Sequence, residues 1–248
     1  MIEIIHLKKS FDGRPVLRDI NLNINKGQTT VIIGRSGCGK TVLLKHIVGL
    51  LKPDEGKIYV DGEEITRMKT KDLYRIRKKI GVLFQGSALF DSLTVEENVA
   101  LGLRRHSKLT EAEIRRKVQE KLEMVGLQGF ETLRPAELSG GMKKRVGLAR
   151  ALVTDPEFVL FDEPTTGLDP IMADIICEMI INCSKNLSVT SVVVTHDMTS
   201  AYKVADRIAM IQRGVVLFDG TPEELRRTED PVVRQFIEGR AHGPIKAM

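Results

Sequence analysis

The sequence predicts an α/β fold, a buried sheet that carries a helical insertion, and three observations predict it. Short apolar, β-branched runs at Thr29 to Ile33, Ile80 to Phe84, Phe158 to Phe161 and Val189 to Thr195 read as strands buried on both faces. The first of these leads through Gly34-Arg35-Ser36-Gly37-Cys38-Gly39-Lys40-Thr41 into the helical spacing of Val42, Leu43, Ile47 and Leu50. From about Leu93 to Leu152 the pattern turns helical, with no linker at either edge.

Taken in order, Ile2 to Leu7 alternates weakly as a strand, Phe11 follows, and Asp12-Gly13 signals a turn. Val16 to Ile24 alternates apolar and polar, as an antiparallel strand with one wet face does. Lys26-Gly27 turns the chain into the strand before the glycine loop. Pro53 to Gly56 is a turn, Lys57 to Val60 a short strand, and Lys71 to Lys79 a basic helix. In the helical block Thr110 and Glu113 form a capping box, and Ile114, Val118, Leu122 and Val125 mark one apolar face. Leu138-Ser139-Gly140-Gly141-Met142 leads into its last helix. Beyond it, Ile171 to Lys185 is helical, and Asp197 caps a helix carrying Ala201 and Val204. Arg207 to Ile211 and Val215 to Asp219 form a strand pair turning at Gly214. Thr221-Pro222-Glu223-Glu224 starts a helix, and Val232, Val233, Phe236 and Ile237 recur at helical spacing in the tail.

Composition narrows the function. The chain has 248 residues and is 42% hydrophobic, enough for a packed core. No stretch approaches the ~18 apolar residues of a membrane span, and Met1 to His6 shows no signal peptide. A cytosolic protein is expected. The net charge of +5 is spread along the chain, as on a solvated surface, although a basic surplus also suits anionic lipid or nucleic acid. Cys38, Cys177 and Cys183 lack metal-ligand spacing and fit a reducing compartment.

The chemistry starts at the glycine loop, which fits G-x-x-x-x-G-K-[ST] in the strand–loop–helix setting that pattern requires. Glycines let backbone N–H groups close around phosphate oxygens, and the helix start adds partial positive charge. Lys40 is placed to reach the terminal phosphates and Thr41 to ligate Mg²⁺. Cys38 reads as a small residue the loop accommodates. A second apolar strand ends in Asp162-Glu163, a pair suited to holding Mg²⁺ and to deprotonating water. Gln85 and His196 also follow buried strands, where a polar side chain can sense a terminal phosphate. Phe11 offers either a flat face for a base or ordinary core packing.

Together these stretches resemble an ABC-type ATPase subunit: Phe11, GRSGCGKT at Gly34 to Thr41, Gln85, LSGGM at Leu138 to Met142, FVLFDE at Phe158 to Glu163, GLD at Gly167 to Asp169, and His196. The resemblance covers essentially the whole chain. It implies a P-loop NTPase with a RecA-like core plus antiparallel β subdomain (1–92 and 153–220), a helical subdomain (93–152) and a C-terminal helical tail (221–248), which in the lipid-transporter group of this family reaches the partner ATPase. It further implies a head-to-tail homodimer with ATP and Mg²⁺ in the seam. Phe11, Gly34 to Thr41 and Val42 would then bind ATP, and Ser139, Gly140 and Gly141 would face the nucleotide held by the other copy. Thr41, Gln85 and Asp162 would serve Mg²⁺, Glu163 would be the general base, and His196 the γ-phosphate switch.

Met142 departs from the glutamine many relatives carry, which removes a strong hydrogen-bonding group from that position. Together with DEPTTGLDPI, VLFQGSALFDSLTVEENVAL and the tail VVRQFIEGRAHGPI, it is similar to ATPases of MCE-type lipid transporters, the MlaF-like group. That likeness implies a separate membrane permease, an MCE substrate-binding protein, an accessory subunit, a lipid cargo, and a peripheral place on the cytoplasmic side of the inner membrane. Gly86 to Leu103, with Leu89, Phe90 and Leu93, would line the groove for the permease. A small-solute importer and a soluble nucleic-acid-acting ATPase are the alternative readings. The second lacks the paired cassettes or long coiled coil of such proteins, and no nucleic-acid partner is expected.

Overall fold

A computed structural model describes residues 1–246; Ala247 and Met248, the last residues of the expected tail, lie outside the described residues. In chain order the strands and helices are β1 (Ile2–Phe11), β2 (Arg14–Ile24), β3 (Thr29–Ile33), α1 (Lys40–Ile47), β4 (Glu55–Val60), β5 (Glu63–Glu64), α2 (Thr70–Arg77), β6 (Ile80–Leu83), α3 (Val95–His106), α4 (Glu111–Met124), α5 (Gly140–Leu152), β7 (Phe158–Asp162), α6 (Pro170–Leu187), β8 (Thr190–Thr195), α7 (Met198–Val204), β9 (Arg207–Gln212), β10 (Val215–Gly220), α8 (Pro222–Arg227) and α9 (Pro231–Ile237). The chain divides into two compact units.

The first unit holds Met1–Leu73 and the described residues from Val192 onward. Its strands run β5-β4-β1-β2-β10-β9-β3, with β8 next to β3. β1 pairs antiparallel with β2 and β4, and β3 pairs parallel with β9. Asp12 and Gly13 form a two-residue hairpin loop, both at positive φ (49° and 74°), so Phe11 pairs with Arg14 at the very end of β1. β1 is therefore longer than the alternation predicts. β3 is buried throughout and delivers the chain into the glycine loop.

α1 is shorter than its apolar spacing predicts. Gly49 adopts φ 70°, and the Leu50 N–H bonds to the Lys45 carbonyl at 2.8 Å, closing the helix. Leu50 is left 51% exposed, and the buried face is Leu43, Leu44 and Ile47. At the other end of the unit the tail is helical only through α8 and α9. From Gly239, at φ 65°, the described chain runs on without helix, which corrects the expectation of a helical tail.

The second unit, Tyr74–Ser191, is larger than the insertion expected at 93–152, because it also takes in β6, β7 and α6. Close packing of α5 on β6 explains this. A Cβ on Gly81 would lie 2.2 Å from the Ala151 carbonyl oxygen, and one on Gly147 would lie 2.7 Å from a Leu83 methyl. Helix and strand thus share one core. β6 pairs parallel with β7 and stops at Leu83, one residue early, where the Ser87 N–H turns back to the Phe84 carbonyl. Thr94 and Thr110 both form capping boxes, the second as expected.

The turn before α3 hangs on one buried side chain. Asn98, 0% exposed, accepts from the Phe90 N–H at 2.8 Å and donates to the carbonyls of Phe90, Leu93 and Thr94. Phe90, part of the expected permease groove, is 52% exposed. Asn98→Ala is expected to lower unfolding free energy by about 1–3 kcal/mol, since it strands several part-buried backbone groups. Urea unfolding checks this, and a loss under about 0.5 kcal/mol, the range of ordinary surface changes, would contradict it.

Candidate nucleotide site

The first unit places the whole glycine loop between β3 and α1. Gly34, Gly37 and Gly39 take φ of 153°, 79° and 105°. Gly39 also packs so closely that a Cβ would lie 2.7 Å from a Leu17 methyl. A side chain there would be strained and would clash with β2. Lys40 is 5% exposed, and its ammonium donates to the Gly34 carbonyl at 2.7 Å and the Arg35 carbonyl at 3.2 Å. Its cation is thus held within the loop.

The start of α1 distinguishes this helix from its neighbours. α3 to α9 each begin with a Thr, Ser or Asp side chain that accepts a hydrogen bond from the first turn. α1 has Gly39 at that position, no side-chain cap and no acidic residue in its first turn. A helix start with a buried lysine and no competing carboxylate suits a polyphosphate. The loop therefore fits the triphosphate the sequence implies. Thr41 and Val42 sit half-buried in the same first turn.

Other predicted residues of this unit lie at strand ends. Phe11 is 40% exposed at the hairpin tip, with the Lys9 ammonium 5.5 Å from its ring centroid. It is not core, so the packing alternative does not hold. His196 is exposed directly after β8. Arg35, Ser36, Gly37 and Cys38 line a cavity of about 340 Å³ with Gln212, Arg213, Ile245 and Lys246. The tail reaches this cavity because buried Gln235 clamps it, donating to the carbonyls of Arg240 and Ile245 and accepting from the Ile245 N–H. Arg35 then donates to the Lys246 carbonyl at 2.9 Å. Within the single chain the tail thus meets its own glycine loop, a contact the sequence reading did not foresee.

The second unit carries the carboxylates. Asp162 ends β7, and both it and Glu163 are buried, at 6% and 8% exposure. Glu163 has left-handed backbone (φ 48°), and its carboxylate accepts from the Thr166 hydroxyl at 3.1 Å. Lys144 of α5, 5% exposed, donates to the backbone carbonyls of both Gln85 and Glu163. Burial pushes the Lys144 ammonium below its ordinary value, while the charges of Asp162 and Glu163 draw it back up. Arg150, further along the helix, donates to the carbonyls of Ser87 at 2.6 Å and Ala88 at 2.8 Å. The Gln85 side chain is exposed.

Ser139 and Gly140 are exposed at the start of α5, and the Ser139 hydroxyl accepts from the Met142 N–H at 3.2 Å. Gly141 is buried, and a Cβ on it would lie 2.6 Å from the Met172 methyl. Asp169 caps α6 by accepting from the Ile171 and Met172 N–H groups. Lys144, Arg150 and Gln235 escaped the sequence reading. A lysine or arginine in an amphipathic helix ordinarily reads as solvated, and only burial shows otherwise. The one available signal was that Lys144 and Arg150 lie on either side of Gly147, on the glycine-bearing face of the helix.

Comparison with known proteins identifies the family of the chain. A profile of the ABC transporter family matches residues 17–166. The chain is 45% identical to the "Probable ribonucleotide transport ATP-binding protein mkl" of Mycobacterium leprae (strain TN), over 98% of this chain and 70% of that protein. It is 43% identical to the "Intermembrane phospholipid transport system ATP-binding protein MlaF" of Haemophilus influenzae, over 99% of this chain and 93% of that one. The Escherichia coli K12 protein of the same name is 41% identical over 94% of this chain and 87% of its own. Among solved structures, the dimeric post-hydrolysis state of the ATP-binding cassette MJ0796 bound to ADP and Pi matches at TM-score 0.83 and 34% identity, covering 89% of this chain and 98% of that one. The cbiO1 protein of Clostridium perfringens matches at TM-score 0.84 and 33% identity, covering 96% of this chain and 94% of its own. The chain belongs to the ABC transporter family, as an ATP-binding cassette that hydrolyses ATP.

Proposed function

We propose that this cassette powers lipid movement by an MCE-type transport system, with phospholipid as the cargo class. The observation that carries the reading is the identity of 43% over 99% of the chain to a protein named for phospholipid transport. The name of the mycobacterial relative favours a second cargo, ribonucleotide, with the chain in the same role. The two differ in what a purified complex holds. Lipid analysis of the detergent-purified permease complex is expected to find bound phospholipid, whereas nucleotide-stimulated uptake of a small solute without bound lipid would favour the second reading.

Mg²⁺-bound ATP supplies the phosphoanhydride bond that the cassette breaks. In the proposed assignment Lys40 and the loop N–H groups from Gly34 to Thr41 hold the phosphates, with Val42 beside them. Phe11 stacks on the adenine. Thr41, Gln85 and Asp162 would hold Mg²⁺, which would offset the phosphate charge, and Glu163 would take a proton from the attacking water. His196 senses the γ-phosphate. Ser139, Gly140 and Gly141 act on the nucleotide held by a second copy, so the working unit is a head-to-tail homodimer with each site made twice. The exposure of Ser139 and Gly140 at the start of α5 supports that role, since small residues there leave room for an anion to approach.

Among the described residues no helix is long and apolar enough to cross a membrane. A peripheral place on the cytoplasmic side of the inner membrane, bound to separate permease subunits, follows from the proposal. An MCE substrate-binding protein and an accessory subunit complete the complex, the segment around Phe90 is the surface offered to the permease, and no nucleic acid takes part.

Glu163→Gln is expected to bind ATP, to hydrolyse it at least about 100-fold more slowly and to accumulate as a dimer. Turnover and gel filtration check this; wild-type turnover by the variant would break the assignment. Cys38 gives an independent reading of occupancy. It is half-exposed, whereas Cys177 and Cys183 are each 2% exposed and burial raises the Cys183 thiol to about 12. One thiol is therefore expected to react quickly with a thiol reagent, and ATP is expected to slow it. Equal labelling with and without ATP would contradict nucleotide binding at this loop.

A further inference from the structure

The face of α5 that meets the segment after β6 carries two cations where apolar side chains would fill the space. Lys144 joins two main-chain positions far apart in sequence, the carbonyls of Gln85 and Glu163. Arg150 joins the next two, Ser87 and Ala88. Three of these four carbonyls belong to non-glycine residues at positive φ: Ser87 at 59°, Ala88 at 48° and Glu163 at 48°. Such backbone is unfavourable for a residue with a side chain and persists only where its surroundings hold it. A buried lysine is itself unfavourable unless fully bonded. The chain therefore keeps two unfavourable features together, and each stabilises the other.

We infer that Lys144 is a positioning residue for hydrolysis: it fixes the main chain of Glu163 and of Gln85 relative to each other, so that the Glu163 carboxylate is set for the water. The inference rests on the reading of Glu163 as the general base. Its chemistry is a hydrogen-bond tie through main-chain carbonyls. Lys144 itself touches no reacting atom, and no covalent step passes through it. The consequence is a split. ATP binding, which belongs to the glycine loop, does not need the tie, whereas the hydrolytic step does.

The test uses the full chain and four variants, with ATP affinity, single-turnover hydrolysis and melting temperature measured on each. Lys144→Met keeps the length and removes the donors. It is expected to hydrolyse ATP about 100-fold more slowly, the scale of a misplaced catalytic group, while ATP affinity stays within about threefold of wild type. Lys144→Gln keeps two N–H donors and is expected to regain about tenfold of the lost rate. Adding Lys144→Met to Glu163→Gln is expected to cost no further rate, since both act on one step. Hydrolysis by Lys144→Met within about twofold of wild type would overturn the inference. So would ATP affinity falling in step with rate, or Lys144→Gln behaving like Lys144→Met at an unchanged melting temperature. Wild-type turnover by Glu163→Gln would instead refute the reading of Glu163 on which the inference rests.

Discussion

A polyanion is held best by backbone where the chain turns without side chains and a helix begins without its own cap. The first unit meets both conditions at one place. Gly34, Gly37 and Gly39 give the loop its curvature, and the helix that follows starts without a side-chain cap, unlike α3 to α9. The buried Lys40 ammonium is bonded to the loop's own carbonyls, so the positive charge is in place before any ligand arrives. The neighbouring parts serve this loop. β3 is buried along its length and fixes the entry, Val16 and Leu17 of β2 close on Gly39, and the β1–β2 hairpin sets Phe11 at its tip.

The second unit meets a different constraint, that of keeping carboxylates buried and correctly aimed. Asp162 and Glu163 lie at the end of a strand of entirely buried residues, where ionised groups are unfavourable without partners. Lys144 answers that locally, because its charge opposes theirs while its donors hold backbone. The glycines of α5 and β6 let the helix approach closely enough for this short-range bonding. Packing and charge placement in this unit are therefore one arrangement, with Gly81 and Gly147 on the structural side and Lys144 and Arg150 on the polar side.

Much of this was legible in the residues. Buried strands announce themselves as β-branched runs, and β3, β7 and β8 fall where those runs stand. Caps are local chemistry, so Thr110, Asp197 and Thr221 start their helices as expected. What escaped depends on contacts distant in sequence. The end of α1 at Gly49 overrides an apolar spacing that continues to Leu50. The joining of β6 and β7 with the helical block follows from close backbone approaches at two glycines, which periodicity does not encode. The buried Lys144 and Gln235 and the half-buried Arg150 look like surface residues until their partners are known. The tail's return to Arg35 likewise depends on Gln235 bonding residues up to ten positions away.

The central claim is that the glycine loop with its buried lysine binds the triphosphate. The most direct measurement is calorimetric titration of Mg-ATP into the wild-type chain and into Lys40→Met. The account predicts saturable binding by the wild type and affinity lower by about 10- to 100-fold in the variant, the worth of a charge-assisted hydrogen bond. Equal affinity in the two proteins, at equal folded fraction, would contradict it.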